Sequence, residues 1–343
     1  MSIYQKQSKI LIVGCGFAGV TYARLLAENN YKVDIIDSRN HIAGNCYDFI
    51  NEINQLESKY GPHIFHTSNY RVVNWLSNFT EWVDYKHKVK ALHTDGKYYT
   101  LPVNKETKEC LGEENILEIF FKPYSEKMWG IKYKDIDPSI VKRVKSRDDY
   151  NEYYFPKDKF QKLPSKGYTY LFTNILDHRN ISIQLSTKFC KEFEKDYDFI
   201  FNSMPIDEYY NYIFGQLPYR SIVFRREHVQ QPSIHKTLTT NFTTYTGPTR
   251  VSDYSYLPYN KKEKSTIAVF EYPCDYKENN YERYYPVKDV DKSNIAIYKK
   301  YREIKNDKMQ FIGRCGTYQY LDIDQVVNQS ILGARKFLKN YAI

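Results

Sequence analysis

Three glycines near the start of the 343-residue chain have the spacing of a nucleotide-binding turn. Gly14, Gly16 and Gly19 form a G-x-G-x-x-G motif. In such a motif the first glycine allows a tight turn, the second lets the backbone approach a pyrophosphate, and the third lets a helix pack closely on a strand. Asp37 follows at the distance expected of an acid that accepts hydrogen bonds from ribose hydroxyls. This spacing predicts a dinucleotide site, and by itself it leaves NAD and FAD both open.

The elements that would position these glycines are also indicated by the sequence. Residues 9–13 are a β-branched apolar run that predicts a buried strand, residues 20–27 have helix-spaced apolar positions, and residues 32–37 predict a second strand. The segment 39–45, Arg-Asn-His-Ile-Ala-Gly-Asn, resembles the arginine-plus-glycine segment that follows the acid in FAD-containing oxidases, reductases and mutases. We therefore expect FAD, with Ala43 standing where a glycine is usual.

Composition narrows the class of protein. The net charge of +9 is spread along the chain, which argues against a nucleic-acid surface and leaves phosphate-bearing substrates open. The six cysteines include no C-x-x-C pair, so we expect no metal site. The first apolar run, residues 10–13, is too short for a signal peptide or a membrane span. We expect a cytoplasmic protein.

The rest of the pattern predicts an α/β fold. We expect helices at 70–76, 104–129, 167–176, 206–214 and 326–338, a hairpin over 86–101 turning at Asp95-Gly96, and a mobile loop over 148–164. We expect further strands at 181–185, 197–202, 220–227, 236–242, 250–256, 266–272 and 309–313. These elements predict a Rossmann-like FAD-binding domain from residues 1–80, 164–216 and 286–343, a small helical substrate domain over 102–150, and an antiparallel β-sheet domain from 81–101 and 217–285.

Several segments, in order along the chain, resemble the UDP-galactopyranose mutase family of the bacterial type. They are SRNHIAGN (38–45), YGPHIFHT (60–67), YSEKMWG (124–130), PSIVKR (138–143), RYYPV (283–287) and GRCGTYQYLDIDQ (313–325). The resemblance implies an isomerase that interconverts pyranose and furanose forms of a nucleotide sugar, most simply UDP-galactose, for cell-surface polysaccharides such as O antigen. In this chemistry N5 of reduced FAD attacks the anomeric carbon, and the nucleoside diphosphate leaves and later re-adds without net redox change.

The resemblance also implies roles for individual residues. Arg143 and Arg250 would grip the substrate diphosphate, because guanidinium stays charged and can bind phosphate oxygens in bidentate fashion. His63 and His66 would lie at the flavin face and complete the catalytic set. Without the resemblance, the alternatives are a histidine pair that caps a strand end or a metal pair, and a metal would need further Asp, His or Cys ligands, none of which is placed nearby in sequence.

The remaining implied contacts fall into two sets. The cofactor-binding set is Gly14, Gly16, Phe17, Ala18, Gly19, Asp37, Ser38, Arg39, Gly44, Asn45, Tyr60, His63, Ile64, Arg314, Tyr320, Asp322, Ile323 and Gln325. The substrate-binding set is Phe120, Phe121, Tyr124, Ser125, Trp129, Arg143, Tyr154, Asn241, Arg250, Tyr285, Tyr320, Asp322 and His87. The structural alternative for Phe120 is a place in a helix core, and for a single arginine it is a solvated surface charge.

Departures from the family pattern leave the substrate open. Ser125 stands where threonine is expected, His87 stands where asparagine is expected, and the segment 101–129 is shorter than in the family. The alternatives are dTDP-fucopyranose mutase, which acts on a sugar without a 6-hydroxyl, and an acetamido-galactose mutase. Two other classes are a net-redox flavin oxidoreductase and a binding protein without turnover. A homodimer is a further expectation, and the 148–164 loop is expected to close over the substrate.

Overall fold

The computed structural model describes residues 8–141 and 146–340. Its strands are β1 (Lys9–Val13), β2 (Lys32–Ile36), β3 (Asp48–Ile50), β4 (Leu56–Ser58), β5 (Phe65–Thr67), β6 (Trp82–Asp84), β7 (Val89–Leu92), β8 (Tyr98–Leu101), β9 (Phe160–Pro164), β10 (Ile181–Gln184), β11 (Phe199–Asn202), β12 (Tyr219–Val229), β13 (Thr239–Phe242), β14 (Arg250–Asp253), β15 (Thr266–Asp275), β16 (Tyr285–Pro286) and β17 (Met309–Phe311). Its helices are α1 (Phe17–Glu28), α2 (Tyr70–Leu76), α3 (Lys105–Leu111), α4 (Lys122–Trp129), α5 (Pro138–Val141), α6 (Gly167–Leu176), α7 (Ile206–Tyr209), α8 (Ser293–Arg302), α9 (Gly313–Gly316) and α10 (Ile323–Asn340).

A parallel sheet in the order β10-β2-β1-β11-β17 forms the centre of the dinucleotide-binding unit. Residues 10–13 of β1 are buried because the sheet is covered on both faces, by α1, α6 and α10 on one face and by a cluster that includes Phe193 and Tyr209 on the other. Burial on both faces explains the unbroken apolar run. α10 packs against α1 through Val327, Ile331 and Ala334, which recur at helical spacing. The C-terminal strand and helix thus pack with the N-terminal elements.

A second sheet runs in the order β16-β12-β15-β14-β13-β7-β8. Most of its pairs are antiparallel, as predicted, and the predicted hairpin forms β7 and β8. One pair departs from this pattern, because β7 joins β13 in parallel register. The predicted strand over 250–256 also ends early, because the Asp253 side chain accepts a hydrogen bond from Ser255 N and starts a 3₁₀ turn.

Three predicted elements differ from the structure for local reasons. The single helix over 104–129 is broken at Gly112, whose φ of 81° leaves the helical region, and a π-helical turn over Leu117–Phe121 precedes α4. The helix over 206–214 ends at Tyr209, because Asn211 and Tyr212 take φ values of 51° and 59°. The predicted loop over 148–164 ends in β9, which pairs with β5 and β6.

Some elements of the structure have no counterpart in the sequence-based predictions. The short strands β3 to β6 and the helix α8 were not predicted. The domain boundaries stay a prediction. Within residues 8–141 and 146–340, no helix combines the length and the apolar character needed to cross a bilayer.

Candidate active site

A cavity of about 490 Å³ opens at the edge of the parallel sheet where β1, β2, β11 and β17 end. Ligands of open α/β sheets bind at this edge, outside the carboxyl ends of the strands. The predicted cofactor residues that line the cavity are Gly14, Gly16, Phe17, Ala18, Asp37, Ser38, Arg39, Gly44, Asn45, His63, Arg314 and Ile323. The structure thus brings together residues that are up to 309 positions apart in the chain.

The glycine turn is shaped as the motif predicts. Gly14 has a φ of 103°, and a Cβ there would overlap the hydroxyl of Ser203, which donates to Val13 O at 2.7 Å. Gly19 lies under the turn rather than in the cavity, and a Cβ on it would overlap Gly14 O. Among the described residues no side chain caps the first turn of α1, and no acidic residue lies in it. The N–H groups and the positive end of the helix dipole therefore face the cavity.

A second glycine approach makes the cavity fit a dinucleotide. A Cβ on Gly44 would lie 3.0 Å from the Cα of Gly16, so two segments of bare backbone meet at one wall. Such a cradle leaves backbone donors open to a pyrophosphate, and a side chain at either glycine would fill it. Ala43 beside it adopts a left-handed conformation (φ 72°, ψ 0°), which glycine would take with less strain.

The Asp37 carboxylate is held by backbone groups at the mouth of the turn. It accepts hydrogen bonds from Cys15 N at 2.7 Å and from Arg39 N at 2.9 Å. Each carboxylate oxygen can accept a further bond, so a ribose hydroxyl remains compatible with this arrangement.

Arg39 joins two walls of the cavity. Its guanidinium donates to Asn45 Oδ1 at 2.8 Å and to Glu282 Oε2 at 2.7 Å, and it lies 4.6 Å from the centre of the Tyr60 ring. Tyr60 itself lies behind the cavity wall, where its hydroxyl donates to His41 Nε2 at 2.7 Å.

The far wall contains residues that the sequence analysis missed. They are Thr187, Lys188, Phe189, Ser203, Met204, Pro205, Glu208, Asn280, Tyr281, Glu282, Arg283 and Tyr284. Arg283 and Tyr284 stand in a recognised segment, RYYPV, but nothing in the sequence indicates that the turn before it faces the glycine motif.

A second group of predicted residues surrounds Arg250 on the second sheet. Arg250 Nε donates to Glu271 Oε2 at 2.7 Å, and the Glu271 side chain is 1% exposed. The negative charge of Glu271 outweighs the burial of the guanidinium and raises the pKa of Arg250. Burial raises the pKa of Tyr124 beside it, and Tyr320 also lies within electrostatic reach of Arg250.

His63 and His66 have different surroundings. His63 Nδ1 donates to Gly61 O at 2.9 Å, which leaves Nε2 as an unprotonated acceptor. Burial, together with the positive charges of Arg314 and Arg250, lowers the pKa of His63 to about 4, so it is neutral at pH 7. His66 Nδ1 donates to Asp158 Oδ2 at 2.7 Å, and its ring stacks on Phe155 with 3.5 Å between centres. Of the two, only His63 lines the cavity.

Three aromatic residues pack together near Arg250. Trp129, Tyr285 and Tyr320 pack edge-to-face, with ring centres 5.0 to 5.7 Å apart. The Tyr285 hydroxyl donates to Met128 O at 2.6 Å, so this ring is fixed against the end of α4. His87 is buried, and burial together with Arg250 and His66 lowers its pKa to about 3.

The other predicted residues lie at varied distances from these two groups. Phe120 packs in a core with Tyr99 and Val89, Phe121 lines a separate small pocket, and Ser125 is half-buried on α4. Ile64 packs against Leu163 and Leu238, Tyr154 contacts the His87 ring, and Asn241 lies opposite Arg250 in the sheet. Asp322 N donates to Gln325 Oε1 at 2.9 Å at the start of α10. Arg143 lies outside the described residues.

The chain is similar to known proteins along nearly its whole length. A family described as UDP-galactopyranose mutase matches residues 119–320, and an NAD(P)-binding Rossmann-like domain matches residues 12–79. A probable UDP-galactopyranose mutase of Klebsiella pneumoniae is 34% identical over 372 residues, covering 97% of this chain and 95% of its own length. The dTDP-fucopyranose mutase of Escherichia coli is 34% identical over 380 residues, covering 97% and 99%.

A solved structure extends the similarity to the fold. The crystal structure of a reduced UDP-galactopyranose mutase aligns with a TM-score of 0.70 at 15% identity, covering 98% of this chain and 95% of that one. Both the family match, which spans more than half of the chain, and the near-complete relatives lead to one conclusion. The chain belongs to the UDP-galactopyranose mutase family and is a mutase, an isomerase of nucleotide-linked sugars.

Proposed function

We propose that this chain binds FAD in the cavity and, with the flavin reduced, interconverts the pyranose and furanose forms of UDP-galactose. The observation that supports this most directly is the position of His63. His63 lines the dinucleotide cavity, and the positive charge of Arg250 contributes to lowering its pKa. The cofactor site and the Arg250 cluster are therefore adjacent. When bound and reduced, FAD supplies a nucleophilic N5 for the anomeric carbon.

The chain's own residues provide charge and exclude water around that chemistry. Arg250 presents a permanent positive charge where a diphosphate must be released and recaptured. His63 stays neutral and offers an acceptor at Nε2, so it adds no competing positive charge near the cofactor. Trp129, Tyr285 and Tyr320 pack edge-to-face near Arg250, where they would shield the opened sugar from water.

The alternative substrate is dTDP-fucose. The Klebsiella and Escherichia coli relatives are named for different substrates, and both are 34% identical to this chain. Ser125 and His87, which depart from the family pattern, both belong to the predicted substrate-binding set. The homodimer, the cytoplasmic location and the closing of the 148–164 loop also stay predictions.

Turnover of both sugars under controlled reduction tests this proposal. Purified protein is assayed with UDP-galactofuranose and dTDP-fucofuranose, with and without dithionite, and the pyranose product is separated by chromatography. We expect turnover only after reduction, with UDP-galactofuranose as the better substrate. Turnover by the oxidised protein, or oxidation of a sugar in proportion to cofactor consumed, would contradict the mutase mechanism. Arg143→Ala should abolish turnover and leave the flavin spectrum unchanged.

A further inference from the structure

A buried carboxylate holds the Arg250 guanidinium from one side. β14 and β15 place Arg250 directly opposite Glu271, and Nε lies 2.7 Å from Glu271 Oε2. The Arg250 side chain remains 26% exposed, whereas that of Glu271 is 1% exposed. Because the carboxylate takes Nε, a second anion that approaches Arg250 must bind through the two Nη groups.

Glu271 is held in place by hydrogen bonds to its backbone and by the turn at Gly61. Its backbone carbonyl accepts bonds from Thr249 N at 2.9 Å and Thr249 Oγ1 at 3.2 Å. Its Oε1 is buried and has no hydrogen-bond partner within the described ranges. A Cβ on Gly61 would lie 2.8 Å from Oε1, and Gly61 has a φ of 81°, so this turn leaves space for the carboxylate. A buried charge of this kind depends on Arg250 for its stabilisation.

The two histidines near the pair add no positive charge at pH 7. His63 and His87 are neutral. Burial and the charges of Arg314 and Arg250 lower the pKa of His63 to about 4, and burial, Arg250 and His66 lower that of His87 to about 3. Burial raises the pKa of the Glu271 carboxyl, and the adjacent guanidinium opposes this rise. The 2.7 Å ion pair with Glu271 offsets part of the positive charge that Arg250 would otherwise present to a diphosphate.

We propose that Glu271 is a positioning residue, which directs the Nη groups of Arg250 toward the substrate diphosphate and whose negative charge keeps Arg250 from retaining the released nucleoside diphosphate. The proposal rests on the proposed function. A mutase must release the diphosphate and then return it to the sugar, so strong retention by Arg250 would slow product release.

Two substitutions separate the charge of Glu271 from its geometry. Glu271→Gln keeps an oxygen acceptor for Nε and removes the charge. We expect it to tighten the binding of UDP by about tenfold, measured by titration calorimetry, and to steepen the salt dependence of binding. Glu271→Asp keeps the charge and withdraws the acceptor from Nε by one methylene. We expect it to lower kcat by about tenfold and to leave the Kd of UDP within about threefold of the parent.

Glu57→Gln is a matched control. Glu57 is a buried carboxylate on β4 that accepts from Nε of an arginine, Arg226, at 2.6 Å, and it lies outside the proposed site. We expect Glu57→Gln to lose about as much thermal stability as Glu271→Gln and to leave the Kd of UDP unchanged. Unchanged or weaker UDP binding in Glu271→Gln, with the control intact, would overturn the role of the charge. A kcat equal to the parent's in Glu271→Asp would overturn the role of the geometry.

A double variant tests the underlying site separately. Arg250→Met combined with Glu271→Gln removes both charges and leaves no buried ion unpaired. If the double variant binds UDP as the parent does, the assignment of Arg250 to the diphosphate site is wrong. If it loses UDP binding and Glu271→Gln alone fails to tighten it, the site stands and the role of Glu271 is refuted.

Discussion

The glycine turn at Gly14 allows a prediction whose magnitude follows from the structure. Alanine at a φ of 103° costs at least the 1–2 kcal/mol that a left-handed residue costs, or about 1.5 kcal/mol. The new Cβ would also displace the Ser203 hydroxyl from Val13 O, and such a hydrogen bond contributes about 1 kcal/mol. Gly14→Ala should therefore lower the free energy of unfolding by about 2–3 kcal/mol.

The same substitution should reduce cofactor content, because the displaced turn lies at the cavity wall. The assay is urea denaturation of the cofactor-free protein, together with the ratio of absorbance at the flavin and protein maxima after purification. Gly215→Ala is the matched control, since Gly215 has a φ of 99° and no atom within 4 Å of its added Cβ. The control should lose stability through backbone strain alone and should keep its flavin.

A second-site substitution divides the effect into its parts. Ser203→Gly in the Gly14→Ala background removes the overlapping side chain, so it should recover about 1 kcal/mol and leave the backbone strain. The reasoning is refuted if Gly14→Ala is no less stable than the Gly215→Ala control and retains a full complement of flavin.

Two further predictions concern single residues. Ala43→Gly should raise the free energy of unfolding by about 0.5 kcal/mol, because relief of the strain at φ 72° exceeds the greater flexibility that glycine adds to the unfolded chain; urea midpoints at pH 7 check this. His87 has a folded pKa of about 3, below its usual 6.5, so it stabilises the fold above pH 6.5 and that stability is lost as pH falls toward 3. His87→Asn should therefore lose less stability than the parent between pH 7 and pH 4, and equal losses in both proteins would contradict the buried neutral histidine.

The dinucleotide unit was predictable because its signals are local. The apolar run of β1, the three glycines and the second strand follow one another within residues 9–37, and each signal depends on neighbours in the chain. The helix break at Gly112 was not predictable from local signals. Apolar residues at helical spacing continue past it, and only the backbone angle of one glycine interrupts the helix.

Sheet order and the far wall of the cavity were not predictable, because they depend on contacts between distant segments. Nothing in residues 86–101 indicates that β7 pairs in parallel with β13. The burial of Glu271 beside Arg250 was not predictable for the same reason. A glutamate in the middle of a β-strand predicts an exposed side chain, and only the register with Arg250 explains why this one is buried.

Arg39 shows how a motif can indicate the right place without indicating the contact. The arginine-plus-glycine segment places Arg39 at the cavity, yet its guanidinium is engaged by Asn45 and by Glu282, which is 243 residues away. The Arg39 side chain is 18% exposed and that of Glu282 is 37% exposed, so the pair is partly shielded from solvent. Tyr281 of the same turn has a φ of 60°, a left-handed conformation that costs free energy for a bulky residue, and the Arg39–Glu282 contact helps to hold the turn against the cavity. The arginine of this motif therefore acts on the cavity through the wall that it holds in place, as well as through any contact with the cofactor.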